Sequence, residues 1–340
     1  YRSSSKLVGF FGRVSYGYGD KYNILASIRR EGSTKFGENN KWATFPSVSA
    51  GWTISNEKFM ESTKNWLDNL KLRVGFGVTG ITPSDNYLSQ YLYNFAGFGD
   101  VKDLEGNWIK TLEVVQNVNK NLKWETTEEW NFGLDWSVLK GRLSGSIDYY
   151  VKTTKDLLYH FAVPCPPNLY GYTLANVGKI RNSGIEIMVN AIPVQTKDFT
   201  WETTVTMSSN KNKLISLNND LYETDNFQEV GGVSDPISVT THCMEVGTGL
   251  GDYWMLKSVG VDKDGFVLVE VKDENGNWVA KPFNTNLNVK ENRQRCGNGM
   301  PDVYFGWNNT LRYKDFDLNM QFTGQFGFKI LNAQRCFYEN

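Results

Sequence analysis

The feature that most constrains this chain is an alternation of large apolar and polar residues at a period of two, sustained over unusually long stretches. From Trp130 to Val138 the even positions are Trp130, Phe132, Leu134, Trp136 and Val138, and every odd position is polar or Gly. Leu143, Gly145, Ile147, Tyr149 and Val151 alternate with Ser144, Ser146, Asp148 and Lys152 on the even positions. Leu72, Val74, Phe76 and Val78 alternate with Lys71, Arg73, Gly75 and Gly77, and Phe316, Leu318, Met320 and Phe322 with Asp317, Asn319, Gln321 and Thr323. A period of two sends the two sets to opposite faces of a pleated strand. The pattern predicts ten strands, at about 6–18, 22–30, 46–55, 71–80, 124–139, 143–155, 184–194, 199–211, 302–313 and 316–328. Most exceed the roughly 5–6 residues typical of soluble sheets and reach the about 9–11 that a tilted strand needs to cross a bilayer.

The connections come in two kinds. One set is short: Gly19-Asp20-Lys21, Lys140-Gly141-Arg142, Gln195 to Asp198 and Lys314-Asp315. The stretch 56–70 belongs to that side, with one helical turn expected around Trp66-Leu67. The other set is long: 31–45, 81–123, 156–183 and 212–301. Short turns on one rim and long loops on the other is the pattern of outer-membrane barrels. A soluble β-sandwich or propeller also alternates, but with shorter strands and an apolar face of Val, Ile and Leu. Here the apolar face is rich in Trp, Phe and Tyr near strand ends, which suits an interfacial girdle. Aromatics make up 14% of the chain, with 11 Trp, 17 Tyr and 20 Phe. The fold class expected is therefore all-β, a transmembrane antiparallel β-barrel.

Composition excludes other classes. Lys+Arg 36 against Asp+Glu 37 leaves a net charge of −1, without the basic excess that nucleic acid requires. No apolar run is long enough for a membrane helix. No GxSxG, HExxH or phosphate-binding loop occurs, and His160 and His242 are isolated, each read as a surface loop residue. Glu128 and Glu129 fall on opposite faces of a strand, so they cannot act as a pair. No enzyme activity, cofactor or metal is expected.

Six stretches carry a family resemblance. Arg30-Glu31-Gly32-Ser33, with Phe36-Gly37 and Trp42, leads into Phe45-Pro46-Ser47-Val48-Ser49-Ala50-Gly51-Trp52. Trp66-Leu67-Asp68-Asn69-Leu70-Lys71-Leu72-Arg73 is followed by Gly75, Gly77 and Thr79-Gly80. Trp124-Glu125-Thr126-Thr127 comes with Asn131-Phe132-Gly133-Leu134-Asp135, and Asp148-Tyr149-Tyr150 with Thr153-Thr154-Lys155-Asp156-Leu157-Leu158. The last are Asn176-Val177-Gly178 with Asn182-Ser183-Gly184-Ile185-Glu186, and Gly299-Met300-Pro301 with Gly306-Trp307-Asn308-Asn309-Thr310-Leu311. In this order they resemble the SusC/RagA family of TonB-linked outer-membrane transporters, over almost the whole chain.

The resemblance implies a place in the bacterial cell outer membrane. It implies a 22-strand barrel filled by an N-terminal plug, with a segment before the plug that contacts TonB. It also implies a SusD-like surface lipoprotein over the long loops, and an oligosaccharide or oligopeptide as substrate. Counting strand directions places the ten strands as strands 10 to 19. Residues 1–340 are then expected to be a partial TonB-dependent receptor barrel domain, with the plug, the TonB-contacting segment and the last strands outside it. Two other readings stay open: a passive porin or structural barrel, and a soluble carbohydrate-binding β domain. Some family members carry an acidic DxNGDG-like loop. Asp262-Lys263-Asp264-Gly265-Phe266 lacks the later oxygen ligands of an EF-type loop. Asp273-Glu274-Asn275-Gly276-Asn277 reads as a hairpin turn between 266–272 and 278–282.

Candidate sites follow from the two faces and the loops. The polar face, with Glu129, Asn131, Asp135, Asp148, Lys152, Glu186, Asn190, Thr204, Asn308 and Gln321, is expected to line a wet lumen. The loops carry Tyr87, Tyr91, Tyr93, Trp108, Tyr170, Tyr172, Tyr222, Tyr253 and Trp254 as exposed aromatics, on which sugar rings can stack or a protein partner can pack. Tyr87, Tyr91, Trp108, Tyr253 and Trp254 are the ligand-binding candidates. Cys165, Cys243, Cys296 and Cys336 all fall in long connections. They can be free, or paired in any of three ways. Cys243 with Cys296 is the favoured disulfide, because both belong to one loop and would staple the hairpin at Asn275-Gly276.

Overall fold

The computed structural model describes residues 3–95, 101–219, 223–235 and 237–338. Its frame is a ten-stranded antiparallel sheet in which each strand pairs with its sequence neighbours. The strands are β1 (Leu7–Tyr18), β2 (Tyr22–Ser33), β3 (Trp42–Thr53), β4 (Leu67–Ile81) and β5 (Glu125–Val138). They continue as β6 (Leu143–Lys155), β7 (Lys179–Gln195), β8 (Phe199–Ser216), β9 (Val303–Tyr313) and β10 (Phe316–Phe326). All ten expected strands are present, and short turns alternate with long loops as expected. No helix among the described residues is long and apolar enough to cross a membrane.

Three boundaries differ in an instructive way. β2 continues to Ser33, β7 begins at Lys179 and β8 continues to Ser216. Each extension lies at the long-loop end. There the strands rise past the apolar zone, so alternation stops while the backbone ladder goes on. On the short-turn side, the helical turns are 3-10 segments at Ile54–Asn56 and Lys58–Thr63, not at Trp66-Leu67. Trp66 closes a turn by donating its N–H to the Thr63 carbonyl, and Leu67 already opens β4.

Cross-strand register confirms the two faces. Leu72, Leu134, Ile147, Ile187, Met207 and Phe305 stand directly opposite one another across β4 to β9, forming one apolar row. This outward face is uncovered: Phe10 is 65% and Val14 70% exposed, which a sheet in water would not sustain over ten strands. Aromatic pairs stack along it, Tyr22 on Trp52 at 6.4 Å and Trp307 on Phe322 at 5.4 Å. Two indole N–H groups on it are satisfied locally, which suits an apolar surrounding. Trp307 Nε1 donates to Thr203 Oγ1 at 2.9 Å, and Trp201 Nε1 to Asn309 Oδ1 at 3.1 Å. At the short-turn rim, Glu57 accepts from Tyr22 Oη, Lys21 Nζ and Trp52 Nε1. The Tyr22 hydroxyl and then the Lys21 ammonium hold its carboxyl down at about 2.

The buried core sits at the long-loop rim. Phe36, Phe45, Leu88, Leu122, Trp124 and Leu174 cluster there, with Phe36 and Leu122 wholly buried. Trp124 packs on Phe36 at 4.5 Å and edge-on to Phe45 at 5.3 Å. Gly37 is required by this packing, since a Cβ there would lie 2.1 Å from the Lys120 carbonyl.

Asparagines tie the loops together around that core. Asn117 donates from Nδ2 to the Tyr172 carbonyl at 3.0 Å and accepts at Oδ1 from Tyr170 N–H at 3.1 Å. Asn119 Nδ2 donates to the Leu174 carbonyl, and Asn39 Nδ2 to Asn121 Oδ1. Asn176 exchanges two bonds with the Lys123 backbone at 2.7 and 2.8 Å, while Asn219 Nδ2 donates to the Asn176 carbonyl. Four long connections are thereby cross-linked into one platform.

Two outcomes test this architecture. Leu134→Arg, in the middle of the apolar row, should cost about 2–4 kcal/mol in denaturant unfolding from lipid, against about 0–1 for Asn131→Arg on the inner face. Equal costs would reject the membrane orientation. Asp135 would be a misleading control, because it holds an ion pair described below. Asn117→Ala should strand buried polar groups at a local cost of about 1–3 kcal/mol. Limited proteolysis should then cut loops 82–124 and 156–178 faster, with the heat-modifiable barrel unchanged. Unaltered protease resistance would mean that the asparagines do not hold the platform.

Candidate functional site

The inner face is a hydrogen-bonded polar wall. Arg73 on β4 points inward and grips Asp135 on β5 in a bidentate pair, Nε to Oδ2 at 2.7 Å and Nη2 to Oδ1 at 2.8 Å. The same Nη2 reaches Asp148 on β6 at 3.0 Å. Arg73 and Asp148 flank β5 on either side of Gly133, the residue opposite both. A Cβ at Gly133 would lie 2.6 Å from Arg73 Cζ and 2.7 Å from Asp148 Oδ1. The glycine is therefore what lets an arginine reach across a whole strand. Asp148 also stands directly opposite Glu186 on β7, a like-charge pairing that the guanidinium offsets. Further along, Thr204 Oγ1 donates to Asn190 Oδ1 at 2.7 Å. A concavity of about 920 Å³ lies on this wall, lined by Asp148, Glu186, Thr206, Ser208, Tyr304, Gln321 and Gln325 among others. Such a surface holds water and offers hydrogen bonds to hydroxyl or amide groups.

The longest loop folds into two small sheets. One contains Phe227–Val233, Val239–Glu245, Asp252–Met255 and Gln294–Asn298; the other contains Ser258–Val261, Val267–Lys272 and Trp278–Pro282. The Asn275-Gly276 hairpin thus forms as expected. In the first sheet Arg293 Nη1 pairs with Glu229 at 2.8 Å, and Trp254 Nε1 donates to the same carboxylate at 3.2 Å. The expected disulfide is not formed. Cys243 pairs in register with Asp252, and Cys296 stands on the strand beyond it. Two strand spacings, about 10 Å, exceed the roughly 7 Å that a disulfide allows. Both thiols are free, and burial pushes each upward, away from the reactive thiolate. Cys165 is also free and exposed.

The aromatic candidates separate into two groups. Trp108 is 69% exposed on the strand that follows a hairpin turn, and Tyr91 is 48% exposed beside Tyr93. Tyr253 is not a surface residue: it is 8% exposed, packs on His242 at 4.8 Å, and donates its hydroxyl to the Lys329 carbonyl. Its partner His242 is correspondingly a half-buried strand residue. Trp254 packs edge-on to Phe227 at 5.0 Å, and Tyr87 uses its hydroxyl to accept from Ser4 N–H at 2.9 Å. These three are engaged in contacts within the protein. Tyr222 lies outside the described residues.

A repeat escaped the sequence reading. Val101-Lys102-Asp103-Leu104-Glu105-Gly106-Asn107-Trp108 and Val271-Lys272-Asp273-Glu274-Asn275-Gly276-Asn277-Trp278 share the pattern V-K-D-x-x-G-N-W. Both fold alike. The Asp carboxylate accepts two backbone N–H groups across the turn, and the turn Gly takes a positive φ, +87° and +81°. The Lys Nζ lies over the indole, at 4.8 Å for Trp108 and 5.3 Å for Trp278. A second signal, a self-match of the chain, would have found Trp278, which is 42% exposed.

The inner-wall geometry makes a sharp prediction. Gly133→Ala should destabilise the sheet by about 1–3 kcal/mol, although Ala ordinarily suits a strand better than Gly. Because the damage is to one ion cluster, Arg73→Ala combined with Gly133→Ala should cost clearly less than the sum of the two. Additive losses in denaturant titrations would show that the cluster is not a unit.

Comparison with known proteins agrees with this geometry. The family described as "TonB dependent receptor-like, beta-barrel" matches residues 1–242. TonB-dependent receptor SusC of Bacteroides thetaiotaomicron is 32% identical over 328 residues, covering 94% of this chain and 31% of that protein. TonB-dependent receptor P39 of Formosa agariphila is 32% identical over 364 residues, covering 95% of this chain and 33% of that protein. The structure of the RagAB peptide transporter superposes with a TM-score of 0.83 at 26% identity, over 99% of this chain and 35% of that one. The chain thus spans about a third of the length of these relatives. With its alternating wall, two-sided loops and matched residues, it belongs to the TonB-dependent receptor-like β-barrel family of the bacterial outer membrane, with SusC and RagAB among its relatives.

Proposed function

We propose that this chain is a stretch of barrel wall in a TonB-dependent transporter that imports an oligosaccharide or oligopeptide. In this reading it is not an enzyme, and a SusD-like surface lipoprotein sits on the rim platform. The observation that carries the proposal is the polar lumen wall beneath a rigid rim that presents two matching tryptophan hairpins. An indole face with an ammonium beside it stacks on sugar C–H faces or peptide planes, while the ammonium donates to their oxygens. The relatives support the class: one is a peptide transporter, and the others are TonB-dependent receptors. Ion pairs such as Arg73 with Asp135 give a plug polar partners without leaving a bare charge in the lumen.

Trp108→Ala and Trp278→Ala in the intact receptor with its lipoprotein should each weaken capture of the imported oligomer by up to about tenfold. Calorimetry against panels of oligosaccharides and oligopeptides reads this, with heat-modifiability as the check on folding. Unchanged affinity in both variants would remove the hairpins from the capture site. Uptake that persists in cells lacking TonB would favour the passive porin.

A further inference from the structure

Beyond transport, we infer that the outward face of β6, β7 and β8 carries a binding site for a phosphorylated lipid headgroup of the outer leaflet. The site is formed by Lys179, Arg181, Lys211 and Lys213. Register places all four on the lipid-facing side. Thr153 pairs with Arg181, Arg181 with Lys213, and Ser183 with Lys211, directly above the row formed by Tyr149 and Ile185. The inward assignment of their neighbours is independent: Tyr150 Oη donates to Asn210 Oδ1 at 3.2 Å across the lumen side.

Two like-charge pairs stand directly opposite each other, Arg181 with Lys213 and Lys155 with Lys179. Opposed like charges destabilise a ladder. Lys155 is neutralised by Glu128 at 2.6 Å. Among the described residues none of the other four has a carboxylate partner. Arg181, Lys211 and Lys213 are exposed, and Lys179 is half-buried. Such an arrangement of opposed cations favours an anion beside it.

Height identifies the anion. Lys211 is level with Val151, and Lys179 with Lys155, counting up from the short turn at Leu143. At about 3.3 Å per residue and a tilt of about 40°, these levels lie roughly 20 and 30 Å above the turn. The apolar band is about 25 Å tall. The cations straddle its outer edge, where lipid phosphates lie. The apolar row beneath them, Tyr149, Ile185 and Ile187, continues the surface for acyl chains. A free anion would satisfy the charges but would have no use for that continuity.

The test uses the intact receptor in a zwitterionic detergent, with diphosphoryl lipid A and phosphatidic acid as probes and inorganic phosphate as the competing arm. Native mass spectrometry should show retained lipid. Arg181→Gln and Lys213→Gln should each weaken retention by about fivefold, and the variant with all four residues changed to Gln should abolish it. Lys197→Gln, in the turn at the opposite rim, should leave it unchanged. In lipid-free micelles the Arg181→Gln barrel should be no less heat-stable than the parent, because a repulsion has been removed. Lipid retention surviving in the folded fourfold variant would overturn the proposal, and so would displacement of lipid by equimolar inorganic phosphate. If the fourfold variant does not fold, a salt series on the parent decides. Retention that falls steeply with ionic strength supports the site, and retention that does not rejects it.

Discussion

In hydrocarbon no water is available to satisfy backbone N–H and C=O groups, so every strand must find partners on both edges. The rest of this structure depends on that requirement. From β2 to β9 each strand is paired on both sides in an antiparallel ladder without a crossover. The outer edges of β1 and β10 meet no strand of the main sheet among the described residues, and the same rule requires them to be paired when the sheet stands in a bilayer. The ladder also dictates the side-chain arrangement. Once register is fixed, Leu72, Leu134, Ile147, Ile187 and Met207 must share a face, and Arg73, Asp135 and Asp148 must share the other.

The resulting molecule inverts the usual polarity of a protein. Over the apolar band its large apolar residues point outward to lipid and the Arg73 ion cluster points inward, and its densely packed core lies at the loop rim. Inward ions impose their own steric demand. A guanidinium reaching from β4 to β6 needs the intervening β5 residue to have no side chain, and Gly133 supplies this. The glycine weakens strand propensity locally, yet it allows one arginine to serve two carboxylates, one of which faces Glu186.

The barrel strands were legible because alternation is a direct consequence of lipid on one side and water on the other. Trp130 to Val138 and Leu143 to Val151 carry that signal and fall in β5 and β6. Where the constraint ends, so does the signal. Lys179, Arg181 and Ser183 stand on a ladder strand at the outer edge of the apolar band, and their polar outward side chains read as loop. Loop tertiary structure was legible only in part. The Asn275-Gly276 hairpin was readable from turn chemistry, whereas the burial of Tyr253 against His242 depends on how two strands of a loop sheet pair. The Cys243–Cys296 pairing failed for the same reason. Membership of one loop sets a sequence separation, but an intervening strand at Asp252–Met255 sets the distance. The repeat ending in Trp108 and Trp278 was fully visible in the sequence, and only a self-comparison was lacking.

The rim shows two electrostatic strategies with different consequences. Its loops form small sheets of their own, and asparagine ties one loop to the next: one amide offers both a donor and an acceptor, so Asn117 and Asn176 bond foreign backbone as a strand would. These bonds are neutral and do not weaken when ionic strength changes outside the cell. The outward cations of β7 and β8 are the opposite case, since their worth depends on a counter-anion and on screening. The neutral ties join loop to loop and the cations stand on the outward face of the sheet, so a change of ionic strength acts on the second and spares the first.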